Sequence, residues 1–143
     1  MANSPVVIDA SVAIKAVLPN LLQAQCQALL VHLSSDELVA PGLWIYETTS
    51  ALSKAVFLGD ITAEEGRIAL SQIDSLGVQI PPMEIGQSFQ AFEWTLRLKR
   101  AAAYDSFYLV LAESLSCDLW TADRRLKNAV SLPWVRWVEE IPV

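Results

Sequence analysis

Val6-Val7-Ile8-Asp9-Ala10-Ser11 and Leu119-Trp120-Thr121-Ala122-Asp123-Arg124 decide how this chain reads. Each is a short apolar run, rich in β-branched or aromatic residues, that reaches an aspartate within two residues and then passes into a helical pattern. A run that is apolar at successive positions belongs to a strand buried on both faces, which is the mark of a parallel sheet lying between helices. Asp9 and Asp123 therefore fall where such a sheet meets its crevice, beyond the carboxyl ends of the strands.

The same alternation continues outward from these stretches. After the helix-like Ser11 to Val17, Leu21 to Leu33 carries apolar residues at helical spacing. Leu38-Val39-Ala40 reads as a second strand, stopped by Pro41-Gly42, and a long helix follows from Gly42 to Leu58, closed by Gly59. Thr62 and Glu65 form a capping-box pattern for a helix running to about Leu76, which Gly77 terminates. Val78-Gln79-Ile80 is expected to be a third strand ahead of Pro81-Pro82. Helices are expected over Glu84 to Arg100, Tyr104 to Ser116 and Asp123 to Val130, with a last strand over Val135 to Val138. The expected fold is α/β, a mostly parallel sheet with helices on both faces. With no linker, repeat or low-complexity tract, residues 1–143 read as a single domain.

Composition agrees: of 143 residues, 53% are hydrophobic and 18% charged, which excludes a disordered or fibrous chain. Asp9, Lys15, Glu47, Lys54, Asp105 and Glu113 break every apolar run before it could cross a bilayer, so a soluble protein with no membrane partner is expected. Met1-Ala2-Asn3-Ser4-Pro5 holds no Lys or Arg ahead of its apolar stretch, which argues against a secretory signal. Cys26 and Cys117 are the only cysteines and read as reduced thiols of a cytoplasmic protein, and a lone His32 excludes a zinc site of the Cys/His kind. The net charge of −6 is unevenly placed. Residues 97–136 hold seven of the ten basic residues and four of the sixteen acids. That asymmetry permits a local phosphate-attracting surface on an acidic protein, although Arg97 to Arg100 read equally well as a solvated helix face.

Four acids stand where solubility does not explain them. Asp9 and Asp123 follow strands. Glu47 lies inside a helix, and advancing about 100° per residue brings it alongside Leu43, Trp44, Ala51 and Lys54. Asp105 aligns with Leu109 and Ala112 on the next-to-last helix and points inward. As single residues, Asp9, Asp105 and Asp123 are equally good candidates for helix N-caps, and Glu47 for a buried ion pair with Lys54. Ser11 and Thr121 read as capping or strand-end hydroxyls, or as groups orienting a carboxylate. Taken together, four carboxylates at the mouth of one sheet would repel without a counter-ion, and hard oxygen ligands select Mg²⁺ or Mn²⁺. Phosphodiester hydrolysis uses such a cluster and needs no His, Cys or Ser triad. Arg124, Arg125 and Lys127, just after Asp123, are candidates for meeting substrate phosphates.

Val7-Ile8-Asp9-Ala10-Ser11, the Pro41 to Leu52 segment with its inward Glu47, Ala103-Tyr104-Asp105-Ser106-Phe107-Tyr108-Leu109-Val110-Leu111-Ala112, and Leu119-Trp120-Thr121-Ala122-Asp123-Arg124-Arg125-Leu126 together resemble the motifs of the PIN domain, in the style of the VapC-type toxins. The resemblance implies a PIN-like α/β/α sandwich and a metal-dependent ribonuclease. It makes Asp9, Glu47, Asp105 and Asp123 the acidic quartet, with Ser11 and Thr121 as polar neighbours. It also implies a homodimer and a small cognate antitoxin whose C-terminal part occludes the site. Trp44 and the apolar residues of the helices spanning residues 11–33 and 42–58 are candidates for the antitoxin's contact surface.

Three other readings compete. A phosphatase of the haloacid-dehalogenase kind also starts from a strand-end Asp, but needs a second Asp two residues on, where this chain has Ser11. A receiver domain calls for a paired acid beside the first strand and a Lys ending the last, and neither is present. A non-catalytic RNA-binding or assembly module on the same fold would have no need of all four acids.

Overall fold

The computed structural model describes residues 4–100 and 103–142. Met1 to Asn3, on which the reading of the N-terminus rests, lie outside this set, as do Ala101, Ala102 and Val143. Four strands, β1 (Pro5–Ile8), β2 (Glu37–Val39), β3 (Leu119–Thr121) and β4 (Val135–Trp137), form a sheet in the order β2-β1-β3-β4. Every pairing is parallel, with Val7 opposite both Val39 and Leu119 and with Trp120 opposite Arg136. Val6, Val7 and Ile8 are all buried, as are Leu119, Trp120 and Thr121. Consecutive strand residues point to opposite faces, so both faces of the sheet are covered.

The covering helices are α1 (Ala10–Val17), α2 (Gln23–His32), α3 (Leu43–Phe57), α4 (Ala63–Asp74), α5 (Gly86–Leu98), α6 (Tyr104–Leu115) and α7 (Arg124–Ala129). α6 packs on β1 and β3, α1 packs against β3, α5 lies on α6, and α4 lies on α3. Tyr108, Leu109, Ile8, Leu119 and Leu126 form the centre of the core. The chain leaves β1 toward β2 on one side and returns to β3 on the other, so the strand order reverses at the β1/β3 boundary. That switch point is where an open α/β sheet leaves a crevice at its carboxyl edge, and Asp9 and Asp123 flank it.

One expectation is corrected. Val78-Gln79-Ile80 is not a strand; it contributes a single parallel bridge, Gln79 opposite Val39. The Gln79 amide donates to the Leu38 carbonyl at 2.8 Å and its carbonyl accepts from the Ala40 amide at 3.0 Å. Pro81 and Pro82 have no N–H to carry the ladder further, so pairing stops after one residue. The helices fall within a few residues of their expected limits, and Gly59 and Gly77 close α3 and α4 with φ of 78° and 66°, a backbone region that costs glycine nothing.

The capping box before α4 is complete: Thr62 Oγ1 accepts from the Glu65 amide at 3.1 Å and Glu65 Oε1 from the Thr62 amide at 2.9 Å. Thr62→Ala leaves an exposed helix start with an orphaned donor. It should lower stability by about 1 kcal/mol, or roughly 4 °C in a thermal melt of a domain this size, without touching the crevice.

Candidate active site

Asp9 leaves β1 with an extended backbone, φ −71° and ψ 145°, and its amide donates to the Trp120 carbonyl at 2.9 Å. Its carboxylate does not cap α1. Instead Oδ2 accepts from Ser11 Oγ at 2.6 Å and from Thr121 Oγ1 at 2.9 Å. Each hydroxyl is engaged twice: Ser11 Oγ accepts from the Ala122 amide at 3.0 Å and Thr121 Oγ1 from the Asp123 amide at 2.9 Å. The two hydroxyls thus tie the end of β1 to the turn after β3 and set the plane of the Asp9 carboxylate. Lys15 Nζ donates to the Ala122 carbonyl and braces the same turn.

Asp9 is only 4% exposed. Burial pushes its carboxyl up to about 7, against the pull of the two hydroxyls and with a further push from the charges of Asp105 and Glu47. The charged form loses hydration that two hydrogen bonds only partly replace.

Glu47 faces inward from α3, half-buried. Its partner is a phenol, not Lys54, whose side chain is exposed: Tyr108 Oη donates to Glu47 Oε1 at 2.7 Å. Burial raises the Glu47 carboxyl, the phenol lowers it, and Asp105 and Asp123 raise it again. Asp105 is the second residue of α6 and caps nothing. Arg100 holds it through an ion pair of 2.9 Å. Burial nevertheless keeps its carboxyl above the usual range, with Arg100 pulling down and Asp123 pushing up. Asp123 is the one acid that does cap a helix: Oδ1 accepts from the Arg125 amide at 2.9 Å.

The structure brings all four acids into one electrostatic neighbourhood. Asp9 feels Asp105 and Glu47, Glu47 feels Asp105 and Asp123, and Asp105 feels Asp123. Among the described residues no three His, Cys, Asp or Glu side chains are gathered closely enough to hold a metal ion as they stand. Asp105 is paired with Arg100, and Asp123 with the first turn of α7. Four oxygen-donor acids whose charges repel one another still fit a hard divalent cation, which would remove that repulsion.

The basic residues divide. Arg124 lies over the Trp137 ring at 4.1 Å and reaches Glu139 at 3.9 Å. Lys127 donates to the Val135 carbonyl at 2.7 Å and pairs with Glu140 at 3.6 Å. Both anchor α7 to β4 and to the 3-10 turn after it, Val138–Glu140. Arg125, with its side chain 87% exposed, stays beside Asp123 and adds its charge to the field at Asp105. The sequence reading missed Arg100, Tyr108 and Lys15 as neighbours of the site. Tyr108 alone had a signal, standing one helical turn after Asp105 on the same face.

The PIN domain model matches residues 6–131, and the chain belongs to the PIN domain family. Its curated relatives include a VapC ribonuclease of Mycobacterium bovis and ribonuclease VapC9 of Mycobacterium tuberculosis. Each is 34% identical over 125 residues, covering 86% of this chain and 89% of the relative. Ribonuclease VapC1 of Mycobacterium tuberculosis is 35% identical over 95 residues, covering 66% of this chain and 68% of the relative. Two crystal structures share the fold. PAE2754 of Pyrobaculum aerophilum has a TM-score of 0.68 at 24% identity, covering 95% of this chain and 85% of that one. VapBC2 of Rickettsia felis, bound to a promoter DNA fragment, has a TM-score of 0.66 at 14% identity, covering 93% and 96%.

Because Asp9 titrates higher folded than its ordinary value of 3.8, the folded protein is penalised as pH rises from about 4 through about 7. Asp9→Asn should therefore raise the melting temperature in EDTA at pH 8 and do so less, or not at all, at pH 5. Equal effects at the two pH values would mean that Asp9 is already ionised at pH 5 in the folded chain.

Proposed function

We propose that this chain is a metal-dependent endoribonuclease that hydrolyses RNA phosphodiester bonds as the toxin of a toxin–antitoxin pair. The observation that carries the reading is the set of four acids at the switch point, of which Asp9, Glu47 and Asp105 are each raised by burial and by a neighbouring acid and cap no helix. The mycobacterial relatives named as VapC ribonucleases support RNA as the substrate.

Asp9, Glu47, Asp105 and Asp123 would hold Mg²⁺ or Mn²⁺. A divalent cation bound there supplies an activated water and neutralises the charge that grows on the scissile phosphate. Ser11 and Thr121 keep Asp9 in one orientation, which lowers the reorganisation needed when phosphate arrives. Arg100 and Arg125 bring the positive charge that draws a phosphate into an otherwise acidic crevice. Water adds to phosphorus, the bond to the leaving oxygen breaks, and that oxygen takes up a proton.

The partners follow the same reading. A groove of about 660 Å³ between α3 and α4, lined by Trp44, Ile45, Thr48, Arg67 and Leu70, offers an apolar bed for an antitoxin segment. The exposed Phe89, Phe92 and Leu96 on one face of α5, with the exposed Ile85 just before it, suit a homodimer contact. No helix among the described residues is long and apolar enough to cross a membrane, and we place the protein in the cytoplasm as a single PIN domain over residues 1–143.

The test is cleavage of mixed RNA with Mg²⁺ or Mn²⁺ against EDTA. Metal should switch cleavage on, and Asp9→Asn or Asp105→Asn should each reduce it by orders of magnitude; undiminished cleavage in both variants would sink the assignment. Mn²⁺ at 100 times its dissociation constant should stabilise the wild type by about 2.7 kcal/mol, a gain that Asp105→Asn should mostly lose.

Arg125→Ala should weaken RNA binding and reduce the salt slope by about 1. Arg124→Ala and Lys127→Ala, whose partners are Trp137, Glu139 and Glu140, should instead lower the melting temperature and leave the slope in place. A reversed pattern would put Arg124 and Lys127 at the substrate.

A further inference from the structure

Glu47 has a long side chain and a half-buried position on α3. One hydrogen bond holds its carboxylate, the 2.7 Å contact from Tyr108. Tyr108 has no exposed surface, so its ring is held by the core. It stands on α6 three residues after Asp105, its hydroxyl reaches across to α3, and that hydroxyl also lies beside the Ala10 backbone at the turn from β1. The phenol thus joins the three elements that carry Asp9, Glu47 and Asp105.

We propose that Tyr108 is a positioning residue: by donating to Glu47 Oε1 it holds that carboxylate in the orientation with which the crevice binds a divalent cation. The inference rests on the ribonuclease reading above and deepens it. Tyr108 is buried and its hydroxyl donates to the carboxylate, so the phenol serves as a hydrogen-bond donor at this position. Occupying one lone pair of Oε1 leaves Oε2 to the crevice. An outer partner of this kind typically changes metal affinity or activity by about 10-fold to 100-fold when it is removed.

The experiment compares wild type, Tyr108→Phe, Glu47→Gln and the double variant by Mn²⁺ titration calorimetry and by cleavage at varied Mn²⁺ and RNA concentrations. Tyr108→Phe keeps the ring and removes only the hydroxyl. It should weaken Mn²⁺ binding by about 10-fold or more, leave the KM for RNA unchanged, and add no further loss to Glu47→Gln. A merely structural tyrosine would lower the melting temperature in EDTA and leave the Mn²⁺ dissociation constant at its wild-type value, which overturns the inference. So would a full additional loss on the Glu47→Gln background. Should Tyr108→Phe fail to fold, fluorine NMR supplies the answer. The sequence has 3 tyrosines, so a Tyr46→Phe, Tyr104→Phe chain labelled with 3-fluorotyrosine reports Tyr108 alone. Saturating Mg²⁺ should shift that resonance as the charge of Glu47 is neutralised, and a resonance that does not move overturns the inference. A wild type that neither binds Mn²⁺ nor cleaves RNA brings down the ribonuclease reading and this inference with it. Wild-type binding matched by Tyr108→Phe brings down this inference alone.

Discussion

A carboxylate at the end of a fully buried strand is the constraint around which this molecule is arranged. Delivering Asp9 from Val6-Val7-Ile8 places a group that wants water at the carboxyl edge of a sheet that excludes it. Ser11 and Thr121 answer that demand, and because each also accepts a backbone amide from the turn after β3, the same atoms that solvate Asp9 lock two strands together. The other three acids each have a different compensation: a phenol for Glu47, a guanidinium for Asp105, the first turn of a helix for Asp123. None of these partners neutralises the set as a whole. The pKa of each of Asp9, Glu47 and Asp105 is raised first by burial and further by a neighbouring acid. A crevice in this state holds electrostatic free energy that a divalent cation placed there would release.

An acidic chain that handles an anionic polymer has to place its few cations with care. Arg124, Lys127 and Arg136 are spent on the C-terminal corner: Arg124 over Trp137, Arg136 near Trp120 and paired with Glu140, and Lys127 on the Val135 carbonyl. Arg100 and Arg125 are left next to the acids. Local field rather than net charge decides where phosphate goes, because at ordinary ionic strength the distant acids are screened within about 10 Å. Arg100 is paired with Asp105 at 2.9 Å, which keeps its charge at the crevice.

The strand-to-helix steps at Asp9 and Asp123, the capping box at Thr62 and the glycines that end α3 and α4 were legible in the sequence because their causes are local. Apolar continuity makes a buried strand, a hydroxyl three residues before a glutamate makes a cap, and a left-handed turn selects glycine. The inward direction of Glu47 and Asp105 was legible too, since helical periodicity fixes which face a residue shares. What periodicity could not supply was partners. Asp9 and Asp123 are equal as N-cap candidates, yet only Asp123 caps, because Asp9 is met by a hydroxyl from a strand 112 residues away. Lys54 shares a stripe with Glu47 but points to solvent, while Tyr108 arrives from a helix 61 residues further on. Val78-Gln79-Ile80 has the composition of a strand, and only its lone pairing with Val39 and the prolines beyond it limit it to a bridge. The sequence by itself determined the alternating elements and the inward acids, since both are encoded within a few residues. Which acid is buried, which is paired and which cations remain for the crevice was decided by tertiary structure, because each depends on dehydration and contact between segments brought together only when the sheet closes at β1 and β3.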